Sequence, residues 1–336
     1  MFELKKELKG KVICITGASG YIGSSLVSQL GNYPVKKIIR ISRKKLKPLA
    51  DIEDLILDLN DFNSWLIIVQ RSDIIFHLSG NTSIAVAEDA PEKTLISEVL
   101  PIKNLVKASK ELCRNPRVIY TSTATIYGLT EKLPILESHS PTPLTYHDNN
   151  KLQAEKFLEI ASHEKIIDSV SLRLSNVYGP SLNESSASDR GILSKITKMC
   201  FENKTIPLYG SGNYIRDYVY IDDVISALLL SSVVNYTQIR KNSEIVFNVS
   251  SGKGTYVKTA FYLIAKEVEK ITNKNINIEN TPWPSQAYDI EKRNFIGSAE
   301  RLKSLTGWIA KTSIEDGVYL LVNYYSKEYI LSLIHI

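Results

Sequence analysis

Cysteine is scarce in this chain: Cys14, Cys113 and Cys200 are the only three in 336 residues. An odd count without metal-like spacing excludes a disulfide framework and a cysteine-built zinc site, and two of the three lie in apolar segments that read as core. Long apolar runs are missing as well. None approaches the ~20 residues of a membrane helix. Residues 1–10 are charged and lack the apolar core of a secretory leader. A cytoplasmic location and no membrane partner are therefore expected. Nor is there a strong excess of one charge: 41 Lys and Arg against 36 Asp and Glu leave a net +5. Dispersed over this length, that argues against a nucleic-acid partner and suits an anionic small substrate. No internal repeat, low-complexity tract or metal-binding cluster stands out.

What is present is a soluble globular composition, 43% hydrophobic and 23% charged, long enough for two lobes. Its most informative stretch is TGASGYIG, residues 16–23. An apolar run precedes it and a helical pattern follows. Glycine at Gly17, Gly20 and Gly23 lets the chain turn tightly off a strand and lets its backbone approach a pyrophosphate. The helix N-terminus adds unpaired N–H groups and a partial positive charge. A plain glycine-rich turn is the competing reading. The position near the N-terminus, between strand and helix, favours a dinucleotide site.

Strand-length apolar runs at 11–16, 37–42, 55–59, 73–78, 117–122 and 169–174 alternate with helical patterns at 21–30, 61–70, 92–113 and 149–163. Such alternation predicts an α/β fold: a doubly wound parallel (Rossmann) sheet covered on both faces, with ligand at the carboxyl ends of the strands. The pattern changes after Pro180. A serine-rich loop at 181–191 precedes a helix at 192–203, a strand at 206–209, a helix from Asp222, a strand at 245–249 and helices near 257–271 and 313–325. Residues 1–180 and about 213–250 are assigned to the dinucleotide-binding domain. Residues 181–212 and about 251–330 are assigned to a smaller, interleaved α/β lobe for substrate. The last six residues, LSLIHI, resemble a translated sequencing-adapter scar, so 331–336 are expected to be a non-native tail.

Five further motifs occur in order. They are Phe76-His77-Leu78-Ser79-Gly80, the segment from Tyr120 through Thr123 to Gly128, Arg173-Leu-Ser-Asn176-Val-Tyr-Gly-Pro180, Arg216-Asp-Tyr-Val-Tyr-Ile-Asp-Asp-Val224, and Phe247-Asn248-Val249. With TGASGYIG they resemble, over nearly the whole length, extended short-chain dehydrogenases/reductases of the NAD-dependent epimerase/dehydratase family, which modify nucleotide sugars. The resemblance implies a homodimer that binds NAD(P) and a nucleotide-diphosphate sugar. It places Gly17, Ser19, Gly20, Tyr21, Ile22, Gly23, Asp58, Leu59, Leu78 and Lys151 at the cofactor, with Asp58 at the adenine amino group. A helix cap is the competing role for Asp58. At the end of the second strand an acid would accept from the ribose 2′-hydroxyl of NAD. Ser42 stands there with Arg43 beside it, and no carboxylate follows until Asp51. The choice tilts toward NADP, against the alternative of a solvated basic loop.

By the same resemblance a tyrosine takes the sugar hydroxyl proton, a lysine four residues on assists it, and a serine or threonine, here Thr123, bonds the same oxygen. The local sequence departs from this. Aligning Pro143, Thr145, Asp148, Lys151, Leu152, Ala154 and Glu155 with the family pattern puts His147 where the tyrosine belongs. Tyr146 lies one residue early, about 140° round a helix from Lys151. Three assignments stay open. His147 is the acid/base, kept neutral by Lys151. Or Tyr146 enters through a bulge. Or the site binds both ligands without turnover.

Asn176 and Arg216 are carried over as contacts to the diphosphate. The competing roles are a turn cap for Asn176 and an ion pair with Asp217 or Asp222 for Arg216. The family's further arginine has Arg293 as its nearest candidate here. The two residues after Thr123 are Ala124 and Thr125, where sugar 4,6-dehydratases carry an acid pair. Dehydration is therefore disfavoured, and 4-epimerisation or 4-keto reduction remains.

Overall fold

The computed structural model describes residues 2–81, 83–181, 191–237, 239 and 245–334. Its strands, in chain order, are β1 (Val12–Thr16), β2 (Lys37–Ser42), β3 (Ile52–Ile56), β4 (Ile74–His77), β5 (Arg117–Thr123), β6 (Asp168–Leu174), β7 (Asn176–Tyr178), β8 (Ile206–Tyr209), β9 (Ile215–Tyr220), β10 (Val246–Val249), β11 (Gly254–Tyr256) and β12 (Ile278–Thr281). Seven of them form a parallel sheet in the order β10-β6-β5-β4-β1-β2-β3. The chain reverses direction across this sheet between β1 and β4. The carboxyl ends of these two strands therefore flank a crevice.

The strands alternate strictly, because successive side chains point to opposite faces. Ile13, Ile15, Ile74, Phe76 and Ile119 join one buried cluster. Cys14, Ile39, Ile41, Ile75, Val118 and Tyr120 join another. The second cluster is closed by helices α3 (Phe62–Arg71), α5 (Pro91–Glu111) and α6 (Tyr146–His163). The first is closed by α1 (Phe2–Leu8), α2 (Tyr21–Leu30), α7 (Ile192–Phe201), α8 (Ile221–Ser231) and further helices. A short α4 (Ile84–Asp89) packs on α5 and α6. Among the described residues, α9 (Val257–Thr272), α10 (Glu300–Thr306) and α11 (Ile314–Ile334) come later in the chain. The remaining strands make a β11-β9-β7 sheet and a β12-β8 pair beside the large sheet.

Several boundaries differ from the sequence reading. The third strand is Ile52–Ile56, not 55–59. Register explains it: Arg40 lies opposite Asp54 and bonds it at 2.6 and 2.7 Å, so the strand ends opposite Ser42. The later leucines Leu57 and Leu59 pack against the second cluster instead. Helix α6 starts at Tyr146 rather than 149, because Thr145 caps it by accepting from the Asp148 N–H at 3.2 Å. Strands β7, β9, β11 and β12 and helices α1 and α4 were not read from sequence. Of the serine-rich loop at 181–191, residues 182–190 lie outside the described residues. Helix α11 runs on through 331–334, but the side chains of these four, and residues 335 and 336, lie outside them too.

Candidate active site

The glycine turn closes on itself so tightly that side chains are excluded. Gly17 has φ +69, and a Cβ there would stand 2.8 Å from the Leu78 carbonyl carbon. A Cβ on Gly23 would stand 2.2 Å from the Gly17 oxygen. Gly20 is the N-cap of α2, supplies no capping side chain, and is followed by no acid in the first turn. Among the described residues, no capping side chain and no first-turn acid meets the first N–H groups of α2, which follow the turn at the end of β1. That arrangement fits a pyrophosphate.

Around this turn, Ser19 and Ile22 are half-buried. Tyr21 turns inward and donates to the Gly179 carbonyl at 2.9 Å, tying α2 to the segment after β7. The Leu78 N–H donates to the Thr16 carbonyl at 3.3 Å, holding β4's end against the turn. Ser42 Oγ donates to the Lys44 carbonyl, so Ser42 shapes the loop after β2. Arg43 is exposed, with no hydrogen bond or ion pair among the described residues. Asp58 is exposed and lies two residues beyond β3, where it accepts from the Asn60 N–H at 3.0 Å. It does not cap α3. Asp61 does, by accepting from the Ser64 N–H at 3.0 Å. The Leu59 carbonyl accepts from Trp65 Nε1 at 2.8 Å.

At the other side of the crevice α6 brings three of the expected residues to the end of β5. Tyr146 occupies the first helical position and is 50% exposed. Its N–H donates to Glu88 at 2.8 Å, and no bulge turns it inward. His147 is buried. Burial is the largest influence on its pKa and lowers it, and the Lys151 charge lowers it further. Asp148, Glu98 and a backbone hydrogen bond at Asn81 pull the other way. Lys151 Nζ donates to the Thr121 carbonyl at 3.0 Å and meets Glu98 Oε1 at 2.6 Å.

Glu98 was missed in the sequence, although a signal existed. Thr94, Glu98, Ile102, Leu105 and Ser109 form the buried stripe of α5 at helical spacing, so an acid stands on a core face. Its carboxylate also accepts from Tyr120 Oη at 2.8 Å and from the Asn81 N–H at 3.2 Å. Gly80 is needed beside it, because a Cβ there would lie 2.6 Å from Glu98 Oε2. Thr123 is half-buried at the end of β5, its Oγ1 2.8 Å from Thr125 Oγ1.

The small sheet supplies the remaining residues. Arg216 on β9 is buried but pairs with neither Asp217 nor Asp222. It donates to the carbonyls of Ile215, Arg293 and Glu291. Asp217 is occupied with Ser251, Gly252 and Gly297. Arg293 comes to the same place; its Nη1 donates to the Ile290 carbonyl at 2.9 Å, and its buried Nε has no partner among the described residues. Burial, then Arg216, pulls the Arg293 pKa down to about 9. Burial also lowers that of Arg216. Asn176 is half-buried on β7, and its Oδ1 takes no hydrogen bond among the described residues. Among the described residues there is no metal-binding cluster and no helix long and apolar enough to cross a membrane.

A doubly wound parallel sheet with a glycine cradle at the crevice between β1 and β4 defines a Rossmann-type, dinucleotide-binding class of fold. The chain belongs to the NAD dependent epimerase/dehydratase family, whose model matches residues 13–249. It is 25% identical over 318 residues to a putative UDP-glucose 4-epimerase of Methanocaldococcus jannaschii, covering 93% of this chain and 98% of that one. It is also 25% identical over 348 residues to the CDP-paratose 2-epimerase of Salmonella typhi, covering 94% and 99%. Among solved structures, the UDP-glucose 4-epimerase of Thermotoga maritima with UDP-glucose superposes with a TM-score of 0.80. It has 26% identity and covers 94% of this chain and 99% of that one.

Proposed function

We propose that this chain is an NAD(P)-dependent enzyme acting at C4 of a nucleotide-diphosphate sugar, as a 4-epimerase or a 4-keto reductase. The pair Arg216 and Arg293 carries the reading. Two guanidiniums are set side by side in poorly solvated positions, and neither makes a salt bridge among the described residues. Guanidiniums stay charged, so the pair calls for an anion with more than one charge, and a diphosphate is such a group. Asn176 adds an amide from β7 of the small sheet that also carries Arg216. We assign 181–212 and about 251–330 to the substrate lobe, which supplies Arg293, with Asn176 and Arg216 meeting it from the dinucleotide-binding domain.

When bound, the nicotinamide accepts or returns a hydride. The protein's part is to hold the sugar oxygen and move its proton. His147 stands in the position of the usual tyrosine, and its low pKa leaves it neutral and able to accept a proton at neutral pH. Thr123 lies at the end of the neighbouring strand. A second reading, a catalytically silent homologue that binds cofactor and sugar nucleotide, is favoured by one observation: Tyr146 is turned to solvent, so no tyrosine stands in register with Lys151.

The test is calorimetric titration of UDP-sugars and other nucleotide sugars with each cofactor present, followed by turnover assays on those that bind. Arg216→Ala is expected to weaken sugar-nucleotide binding about tenfold or more, the scale of a charge-assisted hydrogen bond, and to leave cofactor affinity nearly intact. Equal losses for both ligands would make Arg216 structural. Tight binding without turnover of any ligand selects the silent reading.

A further inference from the structure

Asp148 has no exposed surface, yet it is wired to the site through two hydroxyls from other elements. Its Oδ1 accepts from Thr125 Oγ1, in the turn that follows β5. Thr125 Oγ1 in turn lies 2.8 Å from Thr123 Oγ1. The helix cap explains the bond from Thr145 Oγ1 to Asp148 Oδ2 at 2.8 Å, but not the bond from Thr125. A hydroxyl carries one hydrogen, and an ionised carboxylate only accepts. Thr125 gives its hydrogen to Asp148, so the hydrogen between the two threonines belongs to Thr123. Thr123 Oγ1 also accepts the Thr125 N–H at 3.2 Å. One lone pair remains on Thr123. With Asp148 ionised, Thr123 faces the site as an acceptor, matched to a hydroxyl and mismatched to a ketone.

We infer that Asp148 stores the proton of the reacting sugar oxygen, reached from Thr123 through Thr125. The inference rests on the nucleotide-sugar reading above and moves the proton's resting place from His147 to Asp148. In the oxidative direction the sugar O–H gives its proton to Thr123 Oγ1. Thr123 passes its own to Thr125 Oγ1, and Thr125 passes its own to Asp148 Oδ1. A bound oxidised nicotinamide would take the electron pair of the C–H bond, and the sugar C=O bond would form. Asp148 ends neutral, and every hydrogen in the chain has reversed. Thr123 then donates to the ketone it faces. Reduction runs the same moves backwards. Storing the proton on His147 would instead create a cation beside Lys151.

The charged and titratable groups that face Asp148 are His147 on its own helix and Arg293 from the segment beyond the small sheet. His147 can also donate when protonated, so the test must separate the two. Calorimetry compares UDP-4-keto-6-deoxyglucose with UDP-6-deoxyglucose at one neutral pH, each with the cofactor oxidation state that cannot react with it. The hydroxyl sugar is expected to bind roughly three- to tenfold more tightly than the keto sugar, one hydrogen bond's worth. Thr125→Val should remove this preference, because the Thr123 hydrogen is released to face the sugar while His147 remains. Thr125→Ser should keep it. Turnover should follow the same order, with Thr125→Val down about 10²-fold and KM little changed. A preference equal in the wild type and Thr125→Val overturns the relay and leaves the substrate class standing. Failure of both sugars to bind overturns both.

Discussion

Exchanging Glu98 for Gln replaces one oxygen by an amide nitrogen beside the lysine on which the site turns. Glu98 Oε1 and Lys151 Nζ are 2.6 Å apart, with side chains only 3% and 7% exposed. At an effective dielectric constant of about 20, that separation corresponds to ~6 kcal/mol of gross attraction, much of it offset by the cost of burying both charges. Glutamine loses the charge, and its NH₂ stands either at the ammonium and Tyr120 Oη, where it cannot accept, or at the Asn81 N–H. What remains is a buried, uncompensated lysine, which costs about 3–5 kcal/mol. Lys151→Met should cost a similar amount, by leaving the carboxylate alone. The double variant Glu98→Leu/Lys151→Met removes both charges and should be much milder, so a double-mutant cycle in urea should show coupling of about 3 kcal/mol. The same exchange has a second readout. Glu98 now raises the His147 pKa against burial and Lys151. Removing it must lower that pKa further, as followed through the imidazole resonances by NMR. A loss below about 1 kcal/mol in the single variant, or a His147 that titrates higher, would refute the argument that this pair is buried and balanced.

Arg43→Ala should weaken NADP by roughly tenfold and leave NAD unchanged, since a charge-assisted phosphate contact is worth about 1.5 kcal/mol at an exposed site; a wild-type preference for NAD in the same salt would rule the assignment out. Glu53 accepts from Arg71 at 2.7 Å and meets Lys37 at 2.5 Å, and those bonds, Arg71 first, hold its pKa down to about 2. A carboxylate depressed on folding stabilises the protein above its ordinary pKa, and that contribution disappears as pH falls through the folded value. With the side chain 25% exposed, Glu53→Gln should cost about 1 kcal/mol at neutral pH. The difference from wild type should fade between about pH 4.5 and pH 2, and a cost independent of pH would show that packing, not charge, is responsible.

The large sheet was legible because its signal is local. Near-continuous apolar runs can be buried on both faces only in a parallel sheet, and Gly17 and Gly23 occupy positions that no side chain fits. The small sheet was not legible for the opposite reason. Strands β7 and β11 are three residues each, too short to show a period, and they exist because β9 pairs with both. The third strand was placed three residues late because Leu55, Leu57 and Leu59 carry a strand's alternation past its end. The Arg40–Asp54 pair decides the register there, and pattern alone does not reveal it. The start of α6 is set by Thr145 and Asp148, a capping sequence three residues apart; the first turn carries no apolar period that would mark it as helix.

The same contrast runs through the site. His147, Lys151 and Thr123 were named from the family resemblance, whose motifs lie on one helix and one strand. Arg293 was named only as the nearest candidate for a further arginine, and Glu98 and the role of Asp148 were not legible, because each gains meaning only across elements: α5 against α6, the 293–297 segment against β9, the turn after β5 against the first turn of α6. One of the three did leave a trace. A carboxylate on the core stripe of α5 has to find a buried cation or hydrogen-bond donors, and the only lysine in the family motif lies on the helix packed against it. Glu98 and Lys151 therefore belong to one argument. The Glu98 carboxylate faces that lysine's charge from α5 and raises the His147 pKa against burial and Lys151, which lower it. The departure from tyrosine at position 147 and the acid at position 98 are two parts of one electrostatic arrangement, and the Glu98→Gln cycle tests them together.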